Sequence, residues 1–158
     1  MSPEPDAPPA AGPAVHRHPR TARFGDCDPV GIVYFPRYFD WFHLAMESWF
    51  EQGLGQPYAE LLQRVGLPTV HTECDYAQPC AFGDRVVVEL RVGRIGRSSL
   101  RLCYQVVGED GVLRAKGLTD VVLVQLSPGA PGHLRPTPIP EALRARMAAY
   151  LQAPEGPA

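Results

Sequence analysis

The spacing of apolar and polar positions changes once along this chain. Over residues 37–52 it is helical: at about 100° per residue, Asp40, His43, Glu47 and Glu51 fall on one narrow stripe, with Arg37 and Ser48 at its edge. The other positions of that stretch, among them Tyr38, Phe39, Trp41, Phe42, Met46, Trp49 and Phe50, are apolar or aromatic. A helix apolar over about two thirds of its circumference is predicted to be wrapped by other structure and not laid on a surface. Gly53 supplies the stop, and a shorter helix is predicted over 57–65, ended by "GLP". From residue 69 the period becomes two. Residues 69–80, 84–96, 98–110 and 112–126 read as four successive strands, joined by "AFGD", "GRS" and "EDG" turns short enough for antiparallel hairpins. A strand over 18–24 precedes the long helix, and a closing helix over 141–151 follows the stiff "RPTPIP" segment. The order predicts an α+β domain, an antiparallel sheet of about five strands wrapped around one central helix.

Length and composition fit that single domain. The chain has 158 residues, 45% of them hydrophobic, enough for one core and not for two. The proline-rich opening has almost no large apolar side chains, so residues 1–16 are expected to be a disordered tail, 17–152 the folded domain and 153–158 a disordered end. His16 and His18 have strand spacing, but two histidines without a third ligand are expected to be solvated tail and not a metal site. The net charge of −2 offers no general attraction to nucleic acid or anionic lipid. Four cysteines without a C-x-x-C pair indicate free thiols, no zinc site and a reducing compartment. No apolar run approaches the roughly 20 residues of a membrane span, so a cytoplasmic protein is expected.

The chemistry concentrates in "FGDCDPVGIVYFPRY", residues 24–38, where Asp26 and Asp28 flank Cys27 ahead of the long helix. Carboxylates beside so much apolar surface cost solvation free energy unless hydrogen bonds or a chemical role compensates. On its own Asp28 reads first as a helix-approach cap or the Asx turn of an Asp-Pro pair. With its fixed Phe, Gly, Asp, Asp, Pro, Gly and Tyr, the segment resembles the active-site motif of the 4-hydroxybenzoyl-CoA thioesterase family. The likeness extends over roughly residues 17–151.

That resemblance implies the hot-dog fold and hydrolysis of a small acyl-CoA, with benzoyl-type aromatic acyl groups first and short or branched aliphatic ones second. It places the catalytic carboxylate on Asp28, as nucleophile or general base, and leaves Asp26 structural. The backbone N–H of Phe35, at the head of the central helix, is implied to point at the thioester carbonyl, where unpaired amides and the dipole stabilise an oxyanion. Tyr34 and Tyr38 would line the acyl pocket. Arg97, in the "RVGRIGRSSLR" hairpin, matches one of the family's basic residues for the coenzyme A phosphates, although Gly96 and Ser98 replace two others. No cofactor is implied beyond the coenzyme A of the substrate. An uncovered sheet edge implies a homodimer, assembled further into a homotetramer.

The chain also departs from that family. One branch has histidine at the position of Phe35, and the aromatic-specific enzymes have Trp-Tyr where Tyr34-Phe35 stand here. Another branch carries its carboxylate on the helix, which nominates Asp40 or Glu47. Cys27 is a poor nucleophile between two negative charges that raise its pKa. A non-catalytic acyl-CoA sensor is the alternative from another class, and Asp28 argues against it. A hydratase would need a paired histidine that this segment lacks.

Overall fold

The computed structural model describes residues 12–127, 129 and 132–154. The tail assignments for residues 1–11 and 155–158 lie outside the described residues. One sheet of five antiparallel strands has the order β1-β4-β5-β6-β3, where β1 is His16–Thr21, β3 Thr69–Tyr76, β4 Arg85–Ile95, β5 Ser99–Gly108 and β6 Leu113–Val122. The central helix α1, Arg37–Ser48, continues through a π-type turn, Trp49–Gly53, and lies in the sheet's concave face. A short helix α2 (Tyr58–Leu61), a closing helix α3 (Glu141–Ala148) and a three-stranded patch of β2 (Val65–Gly66), β7 (Val124–Gln125) and β8 (Arg135–Pro136) complete the domain. Among the described residues no helix is long and apolar enough to cross a membrane.

Alternation explains why the sheet holds its helix. Val86, Val88, Leu90 and Val92 of β4, with Leu100, Leu102, Tyr104 and Val106 of β5, are buried, while the residues between them face outward. They meet Tyr38, Trp41, Phe42, Ala45, Met46, Trp49 and Phe50 of the helical segment, all buried, while Asp40, His43 and Glu51 of the predicted polar stripe stay exposed. Phe42 stacks on Tyr104 with ring centroids 4.5 Å apart and planes 10° from parallel. That approach depends on Gly117 in β6. A Cβ there would stand 2.5 Å from the Phe42 ring and 2.8 Å from the backbone carbonyl of Glu73.

The structure corrects the predicted hairpin between the 69–80 and 84–96 strands. β3 ends at Tyr76 and pairs with β6 at the far edge, not with β4. The chain then crosses the end of the sheet: Ala77 and Gln78 donate to the Arg114 carbonyl, and Gly83 donates to that of Ala22. The first strand also starts earlier than predicted. His16 and His18 belong to β1, and His16 is buried with Nε2 2.9 Å from the Ser48 hydroxyl. Phe24, the last residue of the predicted 18–24 strand, instead opens a 3-10 turn, Phe24–Asp26. The predicted 112–126 strand breaks after Val122, and β7 joins the smaller sheet. Leu151 extends the β1 side of β4 through a parallel bridge to Val92, so the chain stays ordered against the sheet beyond α3.

Gly117→Ala should lower stability by about 1–3 kcal/mol, because backbone on one side and a packed ring on the other leave the methyl no room. Urea unfolding followed by Trp fluorescence tests this, and an unchanged midpoint would show that the helix does not depend on this close approach.

Candidate active site

The segment before α1 is built as a clamp. Asp26 accepts a hydrogen bond from the Arg23 N–H at 2.8 Å, closing the 3-10 turn, and its carbonyl accepts the Tyr34 N–H at 2.8 Å. Cys27 bridges Val33, and Ile32 bridges Ala81, so the loop is held to itself and to the 77–84 crossing. At its tip the Gly31 N–H donates to the Asp28 carbonyl with φ at +88°, a conformation open to glycine and strained for other residues. Asp28 Oδ1 accepts the Val30 N–H at 2.9 Å, an Asx turn. That bond uses one carboxylate oxygen; Oδ2 has no partner among the described residues.

Asp28 and Phe35 line one cleft of about 560 Å³, together with Tyr34, Tyr38, Tyr76 and Gln78. The chain therefore brings together four of the five residues nominated from sequence. The helix approach leaves one amide over. The N–H groups of Arg37, Tyr38 and Phe39 turn back onto the carbonyls of Tyr34, Phe35 and Pro36, whereas the Phe35 N–H has no partner among the described residues. A donor at a helix head, on the rim of a cleft that also holds a carboxylate, is an arrangement suited to acyl transfer.

The cleft walls are aromatic. Tyr34 and Phe35 meet edge to face at 5.2 Å, Phe35 and Tyr76 at 6.4 Å, and Tyr38 and Tyr76 at 5.2 Å. Tyr76, which the sequence reading does not nominate, donates its phenol to the Phe35 carbonyl at 3.1 Å and so ties the helix approach to the edge strand. Its only signal in the sequence is an aromatic residue closing a strand ahead of "AQP". Burial, with the Cys74 thiol beside it, pushes the Tyr76 phenol up to about 12. Burial and the neighbouring Cys80 thiol push Tyr38 above the ordinary tyrosine range. Both phenols are neutral hydrogen-bonding groups at physiological pH and not bases.

The thiols are equally inert. Desolvation first, then Asp26 and Asp28, raise Cys27, whose Sγ donates to the Arg23 carbonyl at 3.5 Å. Burial pushes Cys74 up to about 11. The helix carboxylates are committed elsewhere: Asp40 pairs with Arg37 at 3.1 Å and Glu47 with His43 at 3.0 Å, and neither lines the Asp28 cleft.

Arg97 is not in this cleft. It is exposed in the β4–β5 turn, its carbonyl accepting the Ile139 N–H at 2.9 Å. The Asp28 segment leaves the sheet where Thr21 pairs with Arg85, at the opposite end of β4. An 11-residue strand puts the two ends about 30 Å apart.

Residues 22–147 match the model of the thioesterase-like superfamily. The chain is 34% identical over 124 residues to the 1,4-dihydroxy-2-naphthoyl-CoA hydrolase of Prochlorococcus marinus (strain NATL2A), covering 69% of this chain and 74% of that one. Its structure is similar to that of a 1,4-dihydroxy-2-naphthoyl-CoA thioesterase from Synechocystis, with a TM-score of 0.76 at 23% identity, covering 85% of this chain and 96% of that one. A gentisyl-coenzyme A thioesterase is similar with a TM-score of 0.72 at 27% identity, covering 81% of this chain and 98% of that one. The chain belongs to the thioesterase-like superfamily: it has the hot-dog fold and is an enzyme of the thioester-hydrolase class.

Proposed function

We propose that this protein hydrolyses an acyl-CoA with a planar aromatic acyl group to the free acid and coenzyme A. The observation that carries this reading is the shared cleft: Asp28 and the unpartnered Phe35 amide on one rim, with Tyr34, Tyr38 and Tyr76 forming the walls. Aromatic side chains set edge to face accept a further ring by stacking, with about 0.5–1.5 kcal/mol for each good pair beyond the area buried. The relatives named for naphthoyl and gentisyl thioesters favour a one- or two-ring substrate of the 4-hydroxybenzoyl kind over a branched aliphatic one.

In the proposed reaction the thioester carbonyl accepts the Phe35 N–H, and Asp28 acts through Oδ2. As a general base it takes a proton from water while the water oxygen attacks the carbonyl carbon; as a nucleophile it forms a mixed anhydride that water then opens. The thiolate, a good leaving group, departs when the tetrahedral intermediate collapses: to the free acid in the first route, and to the anhydride, before water opens it, in the second. Neither draws on a cofactor beyond the coenzyme A of the substrate.

The free edge of β3 supports a second part of the proposal. Seven of its eight residues are exposed, and its outer edge has no strand beside it among the described residues. Tyr76 of this strand lines the cleft, so a second copy pairing there would flank the site, and the protein is proposed to be a homodimer at least.

A thiol-release assay over acetyl-, isobutyryl-, benzoyl-, 4-hydroxybenzoyl- and naphthoyl-CoA should show the highest kcat/KM for the aromatic thioesters. Asp28→Asn should lower kcat by about 10²- to 10⁴-fold. Equal rates in variant and wild type would remove Asp28 from the mechanism, and no turnover of any thioester would favour a non-catalytic acyl-CoA-binding role. Light scattering on the eluting peak should give a mass of two or four chains; a stable monomer would contradict the edge pairing.

A further inference from the structure

Behind the wall of the Asp28 cleft lies a charge that the proposed reaction does not use. Arg114, near the start of β6, has its side chain only 14% exposed, and its Nη2 donates to Asp110 Oδ2 at 2.8 Å. Its Nε is buried with no hydrogen-bond partner among the described residues. Its backbone carbonyl accepts the N–H groups of Ala77 and Gln78 at 2.8 and 3.1 Å, so the same residue holds the crossing that forms one side of the cleft. A buried guanidinium with an unpaired N–H costs free energy that an apolar side chain of similar volume would avoid.

The group it meets is Cys80, which is fully buried and joins three parts of the fold. The Cys80 carbonyl accepts the Val33 N–H at 2.8 Å, fixing the loop that carries Asp28. Its thiol accepts hydrogen bonds from the Arg114 guanidinium and from the Tyr38 phenol, and its own N–H donates to the phenol oxygen. Tyr38 is thus tied at its tip as well as at its backbone. Its ring lines the cleft three residues past Phe35, edge to face with Tyr76 at 5.2 Å. One phenol, held through a thiol to an arginine, therefore spans the gap between the head of α1 and the crossing. Cutting that tie leaves a buried hydroxyl without its partner and a ring free to turn into the cleft.

We propose that Arg114 and Cys80 are positioning residues for acyl selection: they hold the Tyr38 ring so that the slot between α1 and the 77–84 crossing admits a flat ring and disfavours a branched acyl group. This rests on the thioesterase reading above and adds the residues that set its selectivity. Neither side chain lines the cleft, and both act through Tyr38.

The test is the ratio of kcat/KM for benzoyl-CoA to that for isobutyryl-CoA. Cys80→Ala should lower this ratio about five- to tenfold through KM for the benzoyl thioester, and Cys80→Ser, which keeps a donor and an acceptor, should restore most of it. Arg114→Met should lower the ratio in the same direction, and Arg114→Lys by a smaller factor. In Tyr38→Phe the ratio should already be low, and adding Cys80→Ala should leave it there. Equal losses for both thioesters, or an effect of Cys80→Ala that persists in full without the Tyr38 hydroxyl, would mean packing alone and overturn the proposal. A second readout needs no turnover: the ζ-carbon NMR resonance of Tyr38, identified by its loss in Tyr38→Phe, should move in Cys80→Ala and return in Cys80→Ser, and an unmoved resonance overturns the proposal as well. Should Cys80→Ala unfold, Arg114→Met carries both measurements with the same expected directions. Should wild type hydrolyse neither thioester, the hydrolytic reading falls by itself. Titration of that resonance with benzoate and isobutyrate then decides: a preference for benzoate that drops in Arg114→Met supports the positioning role, and an unchanged preference removes it.

Discussion

The fold depends on how closely α1 approaches the sheet. Phe42 reaches Tyr104 in a near-parallel stack only because β6 presents Gly117, and the rings of Trp41, Trp49 and Phe50 fill the space on either side. With the helix held at that depth, its N-terminal end falls at the margin of the sheet. Residues 22–36 must then run from the end of β1 to the helix along that margin, where the 77–84 crossing pairs with them. Ile32, Val33 and Gly31 bond to it, and the turn carrying Asp28 is fixed as a consequence. A hydrophobic packing constraint thus sets the position of the carboxylate.

One residue can meet two demands at this site. Asp28 makes the Asx turn that orders its own loop through Oδ1, while Oδ2 has no partner among the described residues and is available for the chemistry proposed for it. The structural and functional readings of an Asp-Pro pair are therefore compatible here. Around it other titratable groups are set aside: desolvation holds Tyr38, Tyr76 and the Cys27 and Cys74 thiols protonated, and the helix carboxylates Asp40 and Glu47 are paired with Arg37 and His43. A cleft with one uncommitted carboxylate oxygen and one uncommitted amide has little competing chemistry.

Elements set by local rules were legible in the sequence. The 3.6-residue pattern located α1 to within a few residues and identified its exposed stripe, and period-two alternation found β4 and β5. The motif at 24–38 placed Asp28, Tyr34, Phe35 and Tyr38 on one cleft. What escaped depends on pairings between distant residues. Nothing near β3 signals that it crosses to β6, since short turn-like sequences fit a hairpin equally well, and Tyr76 enters the site only by that crossing. His16 looked like tail because its partner, Ser48, lies 32 residues away. Arg97 carried the right charge, but strand length sets it at the wrong end of the sheet for its own chain.

The most direct test of how this site works is a crystal structure with a non-hydrolysable ketone analogue of an aromatic acyl-CoA. The carbonyl oxygen should lie about 2.7–3.2 Å from the Phe35 nitrogen, with the Asp28 carboxylate about 3–3.5 Å from the carbonyl carbon or one water away from it. An acyl group found elsewhere, or a carbonyl turned from Phe35 with Asp28 facing solvent, would contradict the assignment of both residues.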